Sequence, residues 1–453
     1  MQQTGIKDRS SLSYSYKDIL KVSFPIVLGL LAQNVIQITS TIFLGRVGEV
    51  EFGAVGLAGI YYIAIFMVIF GFSVGAQIMI SRRNGEKDYR QIGNILIQGI
   101  VFLEILALIL YFFTSFFSSH FLPSMMKSQA VYEAAEHYLD WRTFGFFFSS
   151  INVMFRAFYV GIARTSVLTL NAVVMAVVNT IADYLLIFGK FGFPEMGVAG
   201  AGIAAVLSEI SSVLFFIIYT YETVDLEKYG IKKPNFDFSI IGRILKISIF
   251  TMVQYAISMS TWFIFFLAIE NHGEMDLAIT NIVRSLYMIF FIPMNALSTT
   301  ANTLVGNTMG AGKVKEVLPL IRRIALMNLA IIVVMALITV IAPKFWISLI
   351  ASGKNPVLVQ DTVLPLLVLV GALPIISIGT VLFNAISGTG NTAKALLLES
   401  ITMVLYGFSI YYIVYYLKSP VAVCWTVEYI YWGTLLILSL IYLKKGNWQA
   451  KKI

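Results

Sequence analysis

Leu20-Lys21-Val22-Ser23 reappears as Leu245-Lys246-Ile247-Ser248, and this recurrence decides how the chain is organised. The offset of 225 residues (245 − 20) continues through two apolar runs and the loops beside them. The further matched pairs are Gly48 with Gly273, Glu49 with Glu274, Glu51 with Asp276, Tyr62 with Tyr287, Ser73 with Ser298, Ala76 with Ala301, Gln77 with Asn302, Gly85 with Gly310 and Arg90 with Lys315. The pattern predicts two copies of one structural unit.

Composition places both copies in a membrane. The 453 residues are 58% hydrophobic and 12% charged, which excludes a string of soluble domains. A spanning helix needs about 20 apolar residues, and twelve such runs divide the chain. They lie near 18–44, 53–81, 92–117, 136–161, 167–189, 198–221, 244–269, 277–308, 319–350, 360–388, 392–416 and 421–443. We therefore expect an all-α integral membrane protein with twelve transmembrane helices.

The positions of lysine and arginine predict the orientation of these helices. Of the 32 residues of these two types, 23 lie on the face that holds both termini and 7 on the opposite face, while Arg156 and Arg284 lie inside spans. The positive-inside bias predicts cytoplasmic termini and a place in the cytoplasmic membrane. The net charge of +8 indicates no nucleic-acid partner, because the basic residues form short clusters between apolar runs.

The longest connection, residues 222–243, divides the chain nearly in half. We expect an N-terminal lobe at 1–221, a cytoplasmic linker at 222–243 and a C-terminal lobe at 244–453. Because each copy has an even number of spans, the second copy enters the membrane in the same direction as the first. The prediction is two parallel six-helix bundles around a central cleft, which can open to each side in turn.

Six short fragments, taken in order, carry a family resemblance. They are Gly45-Arg46-Val47-Gly48, Gly161-Ile162-Ala163-Arg164-Thr165, Asn179-Thr180-Ile181-Ala182-Asp183-Tyr184, Gly197-Val198-Ala199-Gly200-Ala201-Gly202, Leu304-Val305-Gly306-Asn307 with Gly310-Ala311-Gly312, and Ser387-Gly388-Thr389-Gly390-Asn391-Thr392. Over essentially the whole chain, the sequence resembles the multidrug and toxic compound extrusion (MATE) family of the MOP flippase superfamily. The resemblance implies a monomeric secondary antiporter that exports organic, cationic or amphipathic compounds, with H⁺ or Na⁺ as coupling ion and no other cofactor. Its partners would be a small organic substrate and membrane lipid.

Two other functions fit the same fold. One is a lipid-linked saccharide flippase, whose cleft would be more cationic, and the other is a membrane scaffold or receptor that does not transport. An enzyme is not expected, because Gly71-Phe72-Ser73-Val74-Gly75 has the spelling of a nucleophile elbow but lies inside a span. No ATPase partner is expected either, because Gly310-Ala311-Gly312-Lys313 lacks the spacing of a phosphate-binding loop.

The candidate coupling residues lie in the N-terminal half. Asp183 and Asn179 are four residues apart, so a carboxylate and an amide oxygen share one helix face and could bind H⁺ or Na⁺. Ser40 stands where the family usually has an aspartate. Glu209 could supply a further oxygen to the cation, or it could instead form an ion pair with an arginine such as Arg156.

The candidate cleft residues are polar or aromatic side chains within predicted spans. They are Gln33, Gln37, Gln254, Ser258, Trp262, Arg284 and Asn384. Gln254, Ser258 and Asn384 lie in regions where family members often carry acidic residues. Glu104, Glu399 and Glu428 also lie within spans, and for each the sequence leaves open a structural pairing or a role with substrate or proton. Apart from a possible Na⁺ at Asp183 and Asn179, no metal site is expected.

Overall fold

Helices account for nearly all of the regular structure in a computed structural model that describes residues 14–120, 128–351 and 356–451. Within these ranges, eleven helices are long and apolar enough to cross a membrane, and a bent helix pair raises the number of spans to as many as twelve. The expected all-α membrane fold is confirmed. Five of the basic residues counted for orientation lie outside the described residues: Lys7, Arg9, Lys127, Lys354 and Lys452.

Seven α-helices of the N-terminal lobe lie within the described residues. They are α1 (Tyr16–Val47), α2 (Glu49–Glu86), α3 (Tyr89–His120), α4 (Gln129–Arg142), α5 (Gly145–Gly161), α6 (Ser166–Ile187) and α7 (Gly197–Thr223). The fourth predicted span, 136–161, is not one straight helix, because α4 and α5 meet at a bend of 52°. The bend turns the end of α4 toward the interior of the lobe, and this determines the position of Arg142.

Eight α-helices of the C-terminal lobe lie within the ranges that the structure describes. They are α8 (Phe238–Glu270), α9 (Glu274–Gly310), α10 (Val317–Ile341), α11 (Pro343–Ile350), α12 (Pro356–Gly388), α13 (Thr392–Ser409), α14 (Val421–Cys424) and α15 (Val427–Lys445). The ninth predicted span, 319–350, is interrupted, because Ala342 leaves the helical conformation and Pro343 begins α11. The eleventh continues past α13 as a π-helical segment, Ile410–Tyr416.

The predicted linker ends in a helix cap at the start of the second lobe. Asp237 precedes α8, and its carboxylate accepts hydrogen bonds from the Ser239 amide at 2.9 Å and the Ser239 hydroxyl at 2.6 Å. These donors stabilise the charged form and hold the pKa of Asp237 below its usual range. The cap satisfies a free amide of the first turn, so the chain changes from connection to spanning helix at a defined residue.

Polar side chains of the second lobe bond to the backbone of α2. Ser248 donates to the carbonyl of Phe72 at 3.0 Å, and Thr251 donates to the carbonyl of Gly71 at 2.7 Å. We call this contact the lobe seal: residues 71–86 of α2 against 248–252 of α8 and 303–310 of α9. The hydrogen bonds that join the lobes directly, within the described residues, all lie at this end of the helices.

Two repeat-related glycines allow the helices of the lobe seal to approach each other closely. A Cβ atom at Gly310 would lie 3.0 Å from the carbonyl carbon of Arg82 and from the amide nitrogen of Glu86. A Cβ atom at Gly85 would lie 2.8 Å from the nitrogen of Ala311. Each glycine therefore faces the backbone of the other lobe, as a pseudo-two-fold axis between two copies requires.

The opposite ends of the same helices are apart. Cβ atoms placed at Gly53, Gly56 and Gly59 of α2 would meet no other part of the protein within 4 Å. Large apolar side chains such as Leu57 and Ile60 are more than half exposed there. Within the described residues, the close contact between the lobes therefore lies at the lobe seal, while this part of α2 is exposed.

The chain end closes over the lobe seal. Trp448 is 1% exposed, and its indole donates to the carbonyl of Leu443 at 2.9 Å. The guanidinium of Arg82 donates to the carbonyl of Lys451 at 2.9 Å, which fastens the C-terminal segment to a helix of the N-terminal lobe. We call residues 446–451 the C-terminal strap.

Candidate functional site

Asp183, Asn179 and Ser40 lie together between α6 and α1. The Asp183 carboxylate is 0% exposed, and its Oδ2 atom accepts a hydrogen bond from the Ser40 hydroxyl at 2.5 Å. The same hydroxyl oxygen is 3.2 Å from Oδ1 of Asn179. The other Asp183 oxygen has no hydrogen-bond partner, and no cationic side chain in the described part of the chain pairs with this carboxylate. Such a group can hold a proton or a small cation.

Glu209 is buried near this cluster but has its own partner. Its Oε1 atom is 2.8 Å from Nη2 of Arg142, whose guanidinium lies 3.8 Å from the ring centroid of Tyr62. The structure therefore pairs Glu209 with an arginine, although with Arg142 rather than Arg156. Arg142 is one of the seven basic residues that the sequence assigned to the face opposite the termini, and in the structure it lies at the bend between α4 and α5 with its side chain 13% exposed. One feature of the sequence could have predicted the burial of Arg142: residue 142 lies inside the predicted span 136–161.

Removal of the Arg142 charge should destabilise the lobe. We expect Arg142→Ala to lower the free energy of unfolding by about 3–5 kcal/mol, because Glu209 would remain as a buried charge without a partner. Unfolding of the purified protein in detergent, followed by tryptophan fluorescence, measures this loss.

Replacement of both residues is the informative control. The double variant Arg142→Met with Glu209→Leu should recover most of the lost stability, since no unpaired charge remains. Lys232→Ala, which breaks an exposed pair with Glu227 at 3.9 Å, should cost less than about 1 kcal/mol. If the double variant is as unstable as Arg142→Ala, the loss of stability does not come from an unpaired Glu209 charge, and the proposed role of the Arg142–Glu209 pair is wrong.

Two cavities with polar lining residues lie among the described helices, and Glu209 lines the smaller of them. The smaller, of about 180 Å³, is in the N-terminal lobe, and its polar lining residues are Gln33, Ser149, Asn152, Arg156, Asn171, Glu209 and Ser212. The larger, of about 430 Å³, lies between the lobes, and we call it the central cavity. It has the volume of a site for a small organic molecule. Arg156 of α5 lines both cavities.

Most of the predicted cleft residues line the central cavity. Gln254, Ser258, Trp262 and Asn384 are among them, together with the carboxylates of Glu399 and Glu428. The other predicted residues lie elsewhere: Gln33 lines the smaller cavity, while Gln37 and Arg284 are exposed and line neither. The Arg284 guanidinium lies 5.2 Å from the ring centroid of Phe266.

Glu399 is the more available of the two cavity carboxylates. It is 2% exposed and accepts hydrogen bonds from the Ser258 hydroxyl and, at 3.3 Å, from the Tyr431 hydroxyl. Its second oxygen has no hydrogen-bond partner. The Ser258 hydroxyl of α8 thus holds a carboxylate that comes from α13. Glu399 can therefore attract a cationic group in the cavity.

Glu428 is held by neutral donors. It accepts hydrogen bonds from Tyr287 at 3.3 Å, Tyr406 at 3.0 Å and the indole of Trp432 at 3.1 Å. These bonds satisfy both carboxylate oxygens, which indicates a structural role in joining α9, α13 and α15. Glu104 has one oxygen without a partner and lines neither cavity. Across the described residues, no three histidine, cysteine or acidic side chains form a metal-binding group.

Eleven to twelve spans within the described residues, arranged in two bundles with polar cavities beside the lobe seal, indicate a membrane transporter fold. A family comparison agrees: the MatE model matches residues 25–185 and 248–413, once in each lobe. The chain belongs to the MatE family, whose members are transporters and not enzymes. The two matched segments begin 223 residues apart (248 − 25), close to the offset of the sequence repeat.

Curated relatives and a solved structure extend this result. The chain is 24% identical to a probable multidrug resistance protein NorM of Thermotoga maritima, over 96% of this chain and 94% of the relative. It is 24% identical to the protein of that name from Idiomarina loihiensis over 66% of this chain and 65% of that relative, slightly less than two thirds of its length. The outward-facing structure of a multidrug resistance MATE family transporter matches with a TM-score of 0.85 at 18% identity, covering 96% of this chain and 97% of the other. At 18% identity, this structural match shows that the two chains share a fold.

Proposed function

We propose that this chain is a secondary antiporter that exports organic, cationic or amphipathic compounds in exchange for H⁺ or Na⁺. The observation that carries the proposal is the buried Asp183 carboxylate, which among the described residues has no cationic partner and has one oxygen free of hydrogen bonds. A buried carboxylate of this kind is expensive in a membrane unless it binds a cation or a proton. The names of the NorM relatives support multidrug export.

The central cavity is the proposed substrate site. Trp262, Tyr255 and Phe70 offer aromatic faces to a flat organic cation, and Glu399 offers a negative charge. Gln254, Ser258 and Asn384 would supply hydrogen bonds from the cavity wall, and Gln33 would do so from the smaller cavity. Gln37 and Arg284 would meet substrate at most on its way in or out, since neither lines a cavity.

Asp183, Asn179 and Ser40 form the proposed coupling site. Together they offer three oxygen-bearing side chains, one of them charged, which suffices for a proton and supplies part of the coordination of Na⁺. Glu209 would act through its pairing with Arg142 and not as a direct cation ligand. Cation and substrate must favour opposite states of the cleft or compete for one state, because equal affinity for both states would shift nothing.

The predicted topology completes the proposal. With both termini in the cytoplasm, the lobe seal lies on the cytoplasmic side and the open cleft faces outward. The lobes would be residues 1–221 and 244–453, joined by the linker 222–243, and the protein would act as a monomer in the cytoplasmic membrane. The bacterial NorM relatives support that location.

Cation-driven dye transport tests the proposal. Purified protein in proteoliposomes should move a cationic dye when a pH or Na⁺ gradient is imposed, and Asp183→Asn should reduce this transport by at least about tenfold. The asparagine keeps the size of the side chain but cannot carry the negative charge. The gradient that drives the dye identifies the coupling ion.

A matched variant separates coupling from general damage. Asp361→Asn removes one carboxylate from an exposed position that lines neither cavity, and it should transport as the wild type does. Dye that binds to the protein but moves with neither gradient would reject coupling and favour the scaffold or receptor function. The flippase alternative is disfavoured, because the described lining of the central cavity includes one arginine and no lysine.

A further inference from the structure

We propose that Arg156 forms a subsite for the anionic group of an amphipathic substrate, so that the central cavity accepts carboxylate-bearing organic molecules as well as simple cations. This inference deepens the proposed function, on which it rests for the identity of the central cavity as the substrate site.

The position of Arg156 is the first step of the argument. It extends from α5 into the space between the lobes and lines both the central cavity and the smaller cavity. Its guanidinium has no hydrogen-bond or ion-pair partner among the described residues. Glu209, the acidic residue that lines the smaller cavity with it, is already paired with Arg142 at 2.8 Å. The positive charge of Arg156 is therefore available to a ligand.

The surroundings of Arg156 fit a planar organic acid. The guanidinium carbon lies 5.3 Å from the ring centroid of Phe70, and the rings of Phe70 and Tyr255 are 5.3 Å apart in an edge-to-face arrangement. These rings come from opposite lobes and both line the central cavity. An aromatic substrate could stack against them while its acidic group accepts two parallel hydrogen bonds from the guanidinium.

The central cavity also places charges of opposite sign within reach of one molecule. Arg156, Tyr255 and Glu399 all line the central cavity. A substrate with a basic group and an acidic group could therefore satisfy both side chains, whereas a simple cation would leave Arg156 without a partner. A single arginine suits a carboxylate better than the diphosphate of a lipid-linked saccharide, which ordinarily requires several cationic groups.

Binding of two rhodamine dyes tests this subsite without any ion gradient. The free acid and its methyl ester share one cationic ring system and differ in the carboxylate. In fluorescence polarisation with detergent-purified protein, we expect Arg156→Gln to weaken binding of the acid by about tenfold or more and to leave the ester nearly unchanged. Arg156→Lys should retain part of the preference, because it keeps the charge but loses the bidentate geometry.

Two controls make the result decisive. Arg322→Gln removes the same charge from an exposed position that lines neither cavity, and it should change neither affinity. Equal losses for the acid and the ester in Arg156→Gln, or no loss for either, would overturn the proposal. If transport in proteoliposomes fails while the acid preference persists, the coupling proposal is rejected and the subsite stands.

A competition arm distinguishes the two sources of an anionic group. Short-chain phosphatidylglycerol and phosphatidylcholine are added in turn to the complex of wild type with the acid dye. The proposal expects both lipids to displace the dye equally weakly. Stronger displacement by phosphatidylglycerol that disappears in Arg156→Gln would assign the subsite to a lipid headgroup and overturn the assignment to a soluble organic acid.

Discussion

Replacement of Gly310 with leucine should open the lobe seal and slow transport by about tenfold. The added side chain would meet the backbone of Arg82 and Glu86, where even a Cβ atom would lie 3.0 Å from the nearest backbone carbon and nitrogen. Overpacking of this kind costs about 1–3 kcal/mol. A penalty of this size, imposed on one state of the cleft, shifts the balance between two states by about 5- to 150-fold.

A cysteine at Ser81 can report the opening. Ser81 is buried in the lobe seal, and Cys424, the native cysteine, is buried elsewhere. Maleimide should label the double variant Ser81→Cys with Gly310→Leu about tenfold faster than it labels Ser81→Cys alone. Protein that retains only Cys424 gives the background labelling rate.

The glycine repeat supplies the comparison variants for this experiment. Gly85→Leu should act like Gly310→Leu, because Gly85 faces Ala311 across the same contact. Gly407→Leu adds an identical side chain at an exposed helical glycine with open space around it, and it should change neither labelling nor transport. Unchanged labelling and transport in folded Gly310→Leu would show that the lobe seal tolerates the added volume.

Glu399→Gln should reduce transport of a permanently charged cationic dye by at least about tenfold. Glu399 is buried in the wall of the central cavity, and its second oxygen has no hydrogen-bond partner. Glutamine keeps the hydrogen bonds from Ser258 and Tyr431 but removes the negative charge, so the loss should appear mainly as weaker dye binding. Concentration-dependent uptake into proteoliposomes would measure it as a raised KM.

An uncharged dye analogue separates charge from shape in this variant. Transport of the uncharged analogue should be nearly equal in the wild type and Glu399→Gln, since no ionic attraction is lost. Glu270→Gln, at an exposed position of the same lobe that lines neither cavity, should transport both dyes normally. Equal losses for the charged and uncharged dyes would instead assign Glu399 a structural role.

Helical periodicity made part of the site predictable. Asp183 and Asn179 share a face because four residues make about one helical turn, and that relation requires no knowledge of other helices. The apolar spans and the internal duplication could also be predicted, because the sequence alone shows the apolar runs and the repeat offset of 225 residues. The proximity of Ser40 was suggested by the family resemblance and not by spacing.

Features that depend on how helices bend and rotate were not predictable from residue order. Arg142 reaches Glu209 because α4 and α5 meet at 52°, and no proline marks that bend in the sequence. Glu399 reaches Ser258 across 141 residues, a contact that requires the packing of α8 against α13. Arg284 lies within a predicted span, yet the rotation of α9 leaves it exposed and outside both cavities.

The C-terminal strap gives residues 446–451 a mechanical connection to the cleft. The carbonyl of Lys451 is bonded to Arg82 of the opposite lobe, so separation of the lobes at this end must break that bond or drag the chain end along. A fluorophore attached to Lys451 should therefore change its emission each time the lobes separate at this end. In single molecules, each change would mark one proposed transport cycle. A bulky tag at Lys451 would hinder this movement of the lobes, whereas a tag at an exposed linker position such as Lys232 would not.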